Sequence, residues 1–272
     1  LRGLPGDILV LGAAGKMGRA VIKEALSTPG VSIAGGFERP GHEAVGKDLG
    51  PLAGLDSLGV AIEAGPEKQI ARADALIDFT APAASLSNAR LAAEAGVPHI
   101  IGTTGFAAEQ EEEIAALARR AAIVKSGNMS LGVNLLAALA REAAQRLGPD
   151  YDIEIVEAHH RAKIDAPSGT ALLLGRAVAD GRGVALEDNE IRARDGAVGA
   201  RPQGAIGFAV IRGGGIIGDH DVMFAGAEET LTLSHRAIDR GLFAKGAVAA
   251  AKWAIGKPPG LYSMADVLGF SR

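Results

Sequence analysis

The residues whose types and spacing carry the most chemistry run from Glu157 to Thr170, reading Glu157-Ala158-His159-His160-Arg161-Ala162-Lys163-Ile164-Asp165-Ala166-Pro167-Ser168-Gly169-Thr170. His159, His160, Arg161 and Lys163 fall within five residues at the end of an alternating, strand-like segment. Directly after them, Pro167-Ser168-Gly169-Thr170 has the pattern of a helix start, whose unpaired N–H groups and hydroxyl caps suit a carboxylate. Cations followed by a helix N-terminus point to a small dianionic guest. Successive strand residues face opposite ways, so His159 and His160 should hold different roles. An imidazole with an ordinary pKa of about 6.5 suits proton transfer near neutral pH, and a lysine can donate a proton or balance charge. The competing reading is a solvated cationic loop with Ser168 as a plain helix cap. A metal site is disfavoured, because adjacent histidines do not share a helical face and no third ligand stands at a zinc spacing.

A second constellation lies near the N-terminus, where Gly12-Ala13-Ala14-Gly15-Lys16-Met17-Gly18 spaces three glycines between an apolar run and a helical pattern. Glycine permits the tight turn and lets the backbone approach a pyrophosphate, whose charge is met by free amides at the helix start. The spacing alone is weak in a chain with 38 glycines, and a plain structural turn is the alternative. Its position after the first strand is the stronger argument. Glu38 follows Gly18 by twenty residues at the end of the next apolar run, where it can accept hydrogen bonds from ribose hydroxyls and so favours NADH. Arg39 and Lys16 are cations able to take a 2′-phosphate, which favours NADPH. Together they predict use of both cofactors, against a reading of Glu38 and Arg39 as a solvated pair. Gly102-Thr103-Thr104-Gly105 and Ser126-Gly127-Asn128-Met129 also follow strand-like runs, as nicotinamide-side loops or as ordinary turns.

The elements that must position these residues change character along the chain. Up to residue 129, short apolar runs ending at 12, 38, 80, 104 and 125 alternate with helical patterns at 19–26, 83–95 and 107–120, predicting a parallel sheet covered on both faces. Residues 40–58 read as a loop. After a helical stretch at 131–147 the pattern turns to strands at 152–157, 189–194, 205–212, 221–225 and 229–235, broken by a helix from about Ser168. A helix at 242–255 and the tail are expected to return to the first domain. The expectation is therefore an α/β chain: a Rossmann-type dinucleotide-binding domain of 1–129 plus 240–272, and an α+β substrate-binding and oligomerisation domain of 130–239 with a mixed sheet.

Bulk properties agree. At 272 residues with 48% hydrophobic and 22% charged side chains, the chain can build two modest cores. A net charge of −4 and 4% aromatic residues argue against nucleic acid as a partner. No apolar run nears the roughly 20 residues that cross a bilayer, so no membrane association is expected. Zero cysteines fit a cytoplasmic location.

The blocks GAAGKMGR at 12–19, DFT at 78–80, GTTGF at 102–106, EAHHRAKIDAPSGTA at 157–171 and IGDHDVMF at 217–224 together resemble the 4-hydroxy-tetrahydrodipicolinate reductase family, also called dihydrodipicolinate reductase, of the diaminopimelate route to lysine. The resemblance implies NADH or NADPH held by Gly12, Ala13, Ala14, Gly15, Lys16, Met17, Glu38, Arg39, Gly102, Thr103, Thr104, Ser126, Gly127, Asn128 and Met129. It implies His159 as proton donor/acceptor, Lys163 as proton donor, and His160, Ser168, Gly169 and Thr170 on the carboxylates of a cyclic dicarboxylate. It further implies domain closure and a homotetramer. Two departures stand out: Ser126-Gly127, where many relatives carry Ala or Pro, and Ala162 inside the cationic block. The rival readings are a Rossmann-type reductase of another small oxo or imino acid, and a catalytically silent NAD(P) sensor.

Overall fold

The structure is a computed structural model that describes residues 6–270. It divides into two compact units, Leu1–Leu131 with Gly241–Arg272, and Gly132–Arg240.

The first unit opens with β1 (Asp7–Leu11), whose Ile8, Leu9 and Val10 are wholly buried, as expected of a strand covered on both faces. It continues through α1 (Lys16–Ser27), β2 (Ser32–Glu38), α2 (Leu49–Leu52), β3 (Ile62–Ala64), β4 (Ala75–Asp78), α3 (Pro82–Ala95), β5 (His99–Ile101), α4 (Ala108–Leu117) and β6 (Ala122–Lys125). The second unit holds α5 (Leu131–Leu147), β7 (Asp152–His159), α6 (Gly169–Arg182), β8 (Glu190–Ile191), β9 (Ile206–Arg212), β10 (Asp219–Ala225) and β11 (Thr230–Arg236). The chain then rejoins the first unit with α7 (Gly241–Ala254), β12 (Gly260–Tyr262) and α8 (Met264–Val267).

The first sheet is parallel, in the order β12-β6-β5-β4-β1-β2-β3. From β1 the chain winds one way through β2 and β3, then returns to β4 and winds the other way. The switch point therefore lies between β1 and β4, where such sheets bind ligands beyond the carboxyl ends of the strands. Register sets Leu11 level with Asp78, so the loops after β1 and β4 emerge side by side. On one face α1 and α7 bury Val21, Ile22 and Ala25 with Ala244, Ala247, Val248 and Ala251. The small residues of α7 allow close approach, and at Gly246 an added Cβ would lie 1.6 Å from the Met129 carbonyl oxygen. On the other, Leu86, Ala89, Ile101, Ile114, Ala118 and Ile123 form a second cluster.

Three elements of this unit depart from the sequence reading. The loop expected at 40–58 contains α2, capped by the Asp48 carboxylate, which accepts from the Gly50 amide at 2.8 Å. The edge strands β3 and β12 add to the sheet where no strand was expected.

The second sheet is mixed, ordered β11-β10-β7-β9-β8, with β7 parallel to β9 and antiparallel to β10. Its strand expected at 189–194 shortens to Glu190–Ile191. Alternation along β7, β9 and β10 turns Ile153, Ile155, Ile206, Phe208, Val222 and Phe224 onto one face, which α5 and α6 cover with Leu136, Ala140, Leu174 and Val178. Gly181 is required where those helices meet, because a Cβ there would sit 2.3 Å from the Arg141 carbonyl oxygen.

Candidate active site

In the first unit a cavity of about 590 Å³ opens at the switch point, lined by Gly12, Ala14 and Gly15, by Glu38, Arg39 and His42, and by Thr80, Ala81 and Asn88. The glycine loop is tied to the end of β2, since the amides of Gly12 and Ala13 both donate to the Phe37 carbonyl at 2.9 and 3.1 Å. Gly12 has a φ of +70°, which favours glycine, and at Gly18 a Cβ would lie 2.2 Å from the Gly12 carbonyl oxygen. Helix α1 follows Gly15, which offers it no side-chain cap, and has no acidic residue in its first turn. Its leading amides thus keep the partial positive charge of an uncapped N-terminus facing the cavity. Glu38 takes the Ala14 amide at 2.9 Å on Oε1. A glycine turn closed on its own backbone at Gly18, an uncapped helix start and an acidic residue beside it form a set that fits a dinucleotide.

The residues expected to touch that group are not equivalent. Gly12, Ala14, Gly15, Glu38 and Arg39 line the cavity. Ala13 and Met129 are core residues at 0% and 1% exposure, so only their backbone is available. Lys16 is exposed and Met17 partly buried in the first turn of α1. The segments 102–104 and 126–129 do not line this cavity but lie beside each other, with Ser126 donating its amide to the Ile101 carbonyl at 3.1 Å. Gly102 admits no side chain, because a Cβ would lie 2.1 Å from the Phe79 ring. Sequence reasoning missed His42 and Asn88, and quoted Asp78 within the DFT block without giving the carboxylate a role in organising the wall. Asp78, wholly buried, accepts from the Thr80 amide at 2.8 Å, the Thr80 hydroxyl at 2.6 Å and Asn88 Nδ2 at 2.9 Å, and faces His99 Nε2 at 3.2 Å. Burial pushes its pKa up, but the bonds from His99, Thr80 and Asn88 outweigh it and hold the group below the ordinary value.

In the second unit the covered face of the sheet changes from apolar to polar at the ends of the strands. Register sets Glu157 opposite His220 and His159 beside Arg212, continuing the inward face of Ile155, Phe208 and Val222. Glu157 is wholly buried, with His159 8% and His220 3% exposed. His159 Nδ1 lies 2.6 Å from Glu157 Oε2, and its ring meets that of His220 edge-on at 5.2 Å. Arg212 donates to both Glu157 oxygens at 2.7 and 2.8 Å. Burial raises Glu157 most, yet Arg212 and His159 bring it below the ordinary carboxylate range. For His159 burial dominates and lowers the pKa against the pull of Glu157, so the ring is neutral near pH 7. Burial likewise drops His220 to about 4.

The expected cap is present: Ser168 starts α6 and accepts the Ala171 amide at 3.1 Å, with Gly169 and Thr170 in the first turn. At Gly169 nothing stands within 4 Å of an added Cβ. Lys163 Nζ pairs with both oxygens of Asp165 at 2.7 and 2.9 Å, and is close enough to act electrostatically on His159. His160 is half-buried and accepts the Lys163 amide on its carbonyl at 3.1 Å. Arg212 escaped the sequence reading, and His220 was quoted within the 217–224 block without a role. The available signal was the inward alternation of His220, Val222 and Phe224 along β10.

Comparison with known proteins agrees with these features. Residues 7–129 match the model for the N-terminus of dihydrodipicolinate reductase, and 132–268 that for its C-terminus. The chain belongs to the dihydrodipicolinate reductase family. The 4-hydroxy-tetrahydrodipicolinate reductase of Brucella abortus is 57% identical, covering 97% of this chain and 99% of that protein. That of Parvibaculum lavamentivorans is 60% identical, over 96% and 97%. Among solved structures, the dipicolinate-bound dihydrodipicolinate reductase from Paenisporosarcina sp. TG-14 superposes with a TM-score of 0.77 at 25% identity, covering 96% of this chain and 98% of that one. Family membership accounts for the α/β architecture, a parallel Rossmann-like sheet and a second mixed sheet in one chain.

Proposed function

We propose that this chain reduces 4-hydroxy-tetrahydrodipicolinate to tetrahydrodipicolinate with NADH or NADPH, in the biosynthesis of diaminopimelate and lysine. The observation that carries the proposal is the Glu157–His159 pair beside the start of α6, a proton-handling group next to a carboxylate-binding helix end. The first unit is the dinucleotide-binding domain. Residues 12–17, Glu38 and Arg39 hold the adenosine and pyrophosphate, and 102–104 with 126–129 hold the nicotinamide side. When bound, the reduced nicotinamide supplies a hydride.

The second unit holds the substrate. Loss of water from the 4-hydroxy ring gives a conjugated cyclic imine. One hydride and one proton then enter, reducing the ring by two electrons. His160, Ser168, Gly169 and Thr170 bind the two carboxylates. His159 exchanges the proton. Lys163, released from Asp165 toward the ring, is the source of that one proton, resupplying His159, and offsets the negative charge that builds as hydride arrives. The same reading includes a cytoplasmic homotetramer built through the uncovered face of the second sheet, where Ile211 is 52% exposed. No helix among the described residues is long and apolar enough to cross a membrane.

The test is turnover of enzymatically generated 4-hydroxy-tetrahydrodipicolinate, followed by NADPH oxidation, beside aspartate semialdehyde as a control. His159→Ala and Lys163→Ala should each lower kcat about 10²-fold, the usual scale for acid–base groups. Turnover of the semialdehyde alone overturns the substrate, and near wild-type rates in both variants overturn the roles.

A further inference from the structure

The carboxylate of Glu157 is fully engaged by the protein. Oε2 faces His159 Nδ1 at 2.6 Å and takes Arg212 Nη1 at 2.7 Å. Oε1 takes Arg212 Nη2 at 2.8 Å and the Ser168 amide at 2.9 Å. Arg212 Nη2 also donates to the Asp165 carbonyl, at 2.8 Å. One buried acid thus ties together a histidine, the first residue of a helix cap and the loop that carries Lys163. A charged, acceptor-only carboxylate 2.6 Å from Nδ1 requires that nitrogen to carry the hydrogen in a neutral imidazole. Nε2 is then left with its lone pair. That atom points past Gly218, where a Cβ would come within 3.1 Å of it, so the absence of a side chain there keeps Nε2 open. The edge-on His220 ring limits tilt of the imidazole from the β10 side.

We infer that Glu157 and Arg212 are positioning residues: Glu157 fixes the ring and tautomer of His159 so that Nε2 is the atom that exchanges the proton, and Arg212 holds Glu157 charged and in place. This rests on the reading of His159 as the proton-exchanging group. The arrangement follows the logic of a histidine oriented by a buried acid, with an arginine and a backbone amide sharing that acid. It also links the two halves of the substrate site, because the oxygen that receives the Ser168 amide belongs to the carboxylate that aligns His159.

Replacing the acid by its amide gives opposite instructions at the two oxygen positions. Arg212 Nη2 and the fixed Ser168 backbone amide both donate to Oε1, whereas Arg212 Nη1 alone, on a side chain that can shift, donates to Oε2 beside His159, so the amide oxygen of Glu157→Gln best occupies the Oε1 place. Its NH2 then lies at the Oε2 place, against His159 Nδ1. The amide donates there and turns His159 into the Nε2–H form. The charged and titratable groups facing His159 are Glu157 on its own strand, Arg212 on β9, His220 on β10, and Lys163 and Asp165 in the loop. Removing the anion leaves a majority of cations, whereas removing Arg212 leaves the anion unshared.

The experiment uses the full chain with ¹⁵N-labelled histidine. Two-dimensional ¹H–¹⁵N spectra without substrate, assigned by a His159→Asn variant, report the tautomer, and steady-state kinetics over pH report the apparent pKa of kcat. In the wild type His159 should be protonated on Nδ1, and in Glu157→Gln on Nε2. Glu157→Gln should lower kcat about 10²-fold, with KM for the substrate within threefold, and move the kinetic pKa down. Arg212→Met should move that pKa up. An unchanged tautomer with kcat within threefold of wild type overturns the inference, as do pKa shifts of the same sign in both variants. If Glu157→Gln fails to fold by circular dichroism, the wild-type tautomer and the sign of the Arg212→Met shift decide alone. A wild type inactive on the substrate refutes the proposed function, while the tautomer still decides the positioning role.

Discussion

Each unit buries one carboxylate at the end of an interior strand and sets it against a histidine, yet the two pairs serve different ends. Asp78 meets His99, which is itself wholly buried on the adjacent β5, and its remaining bonds come from the neutral groups of Thr80, Asn88 and, at 3.5 Å, Thr103. Glu157 meets His159 at the rim of its sheet, and its remaining bonds come largely from the cation of Arg212. The difference lies in the second nitrogen of each ring. His99 Nδ1 is buried with no partner among the described residues, while His159 Nε2 faces the glycine at 218. A buried acid–histidine pair with no accessible nitrogen braces a loop; the same pair with one nitrogen free can move a proton.

The strongest way to break this contrast is to remove the brace. Asp78→Ala leaves His99, the Thr80 amide and Asn88 without their acceptor in a fully buried place. Breaking a buried polar pair from one side costs about 3–5 kcal/mol, so urea melts should show a loss on that scale. The fraction that folds should keep kcat within about fivefold of wild type, using the scale on which acid–base groups contribute tenfold and more. A stability loss below about 1 kcal/mol would show that the Asp78 network is only a surface-grade interaction.

The two carboxylates and His220 also leave separable marks on stability against pH. Folded His220 stays neutral down to about pH 4, while the unfolded chain takes up that proton near pH 6.5. Stability is therefore full above pH 6.5 and falls as pH drops toward 4, by on the order of 3 kcal/mol for this 3% exposed group. Asp78 and Glu157 are held below their ordinary values, so their contribution is lost only further down, below about pH 4. His220→Gln should reduce the slope of the upper window to the part that the lowered His159 and His235 contribute, and leave the lower one intact. An unchanged slope between pH 6.5 and 4 in that variant would remove His220 as its source.

The two helix starts sharpen the comparison by a smaller amount. Gly18→Ala drives a Cβ against the Gly12 carbonyl and Ala13 backbone, which cannot give way as a flexible side chain would. Overpacking of this kind costs about 2 kcal/mol, and thermal melts should show it together with at least tenfold weaker cofactor binding by fluorescence titration. Gly169→Ala meets open space and should keep stability within about 0.5 kcal/mol, affecting only KM for the substrate. Equal melting losses in both variants would contradict the difference between a loop pressed on its own backbone and an open helix end.

Much of this was legible in the sequence, because it depends on local patterns. The burial of β1, the glycine turn, the cap at Ser168 and the inward alternation of β7 are all set by neighbours within a few residues. What was hidden depends on distant partners. Arg212 reaches Glu157 across 55 residues, and Asp78 meets His99 across 21, with no spacing that announces either. The edge strand β3 buries only Ile62, and β12 follows two prolines, so neither shows the apolar run that marks a covered strand. Ala13 and Met129 belonged to motifs read as cofactor loops, yet packing against Gly36 and α7 turned their side chains into the core.

The smallest expected effect concerns Glu38 and Arg39, neighbouring charged residues in the cavity lining. Glu38 is bound to the glycine loop through the Ala14 amide, whereas Arg39 is exposed and lines the same cavity. An acid held by the backbone cannot easily withdraw from a ribose hydroxyl, but an exposed arginine can swing toward a 2′-phosphate or away from it. On the proposed function, that asymmetry would let one site accept both cofactors. Arg39→Ala should therefore lower kcat/KM for NADPH about tenfold, or roughly 1.4 kcal/mol, and change that for NADH less than twofold. An equal loss with both cofactors would assign Arg39 to the shared part of the dinucleotide and leave the preference between them to residues elsewhere in the cavity wall.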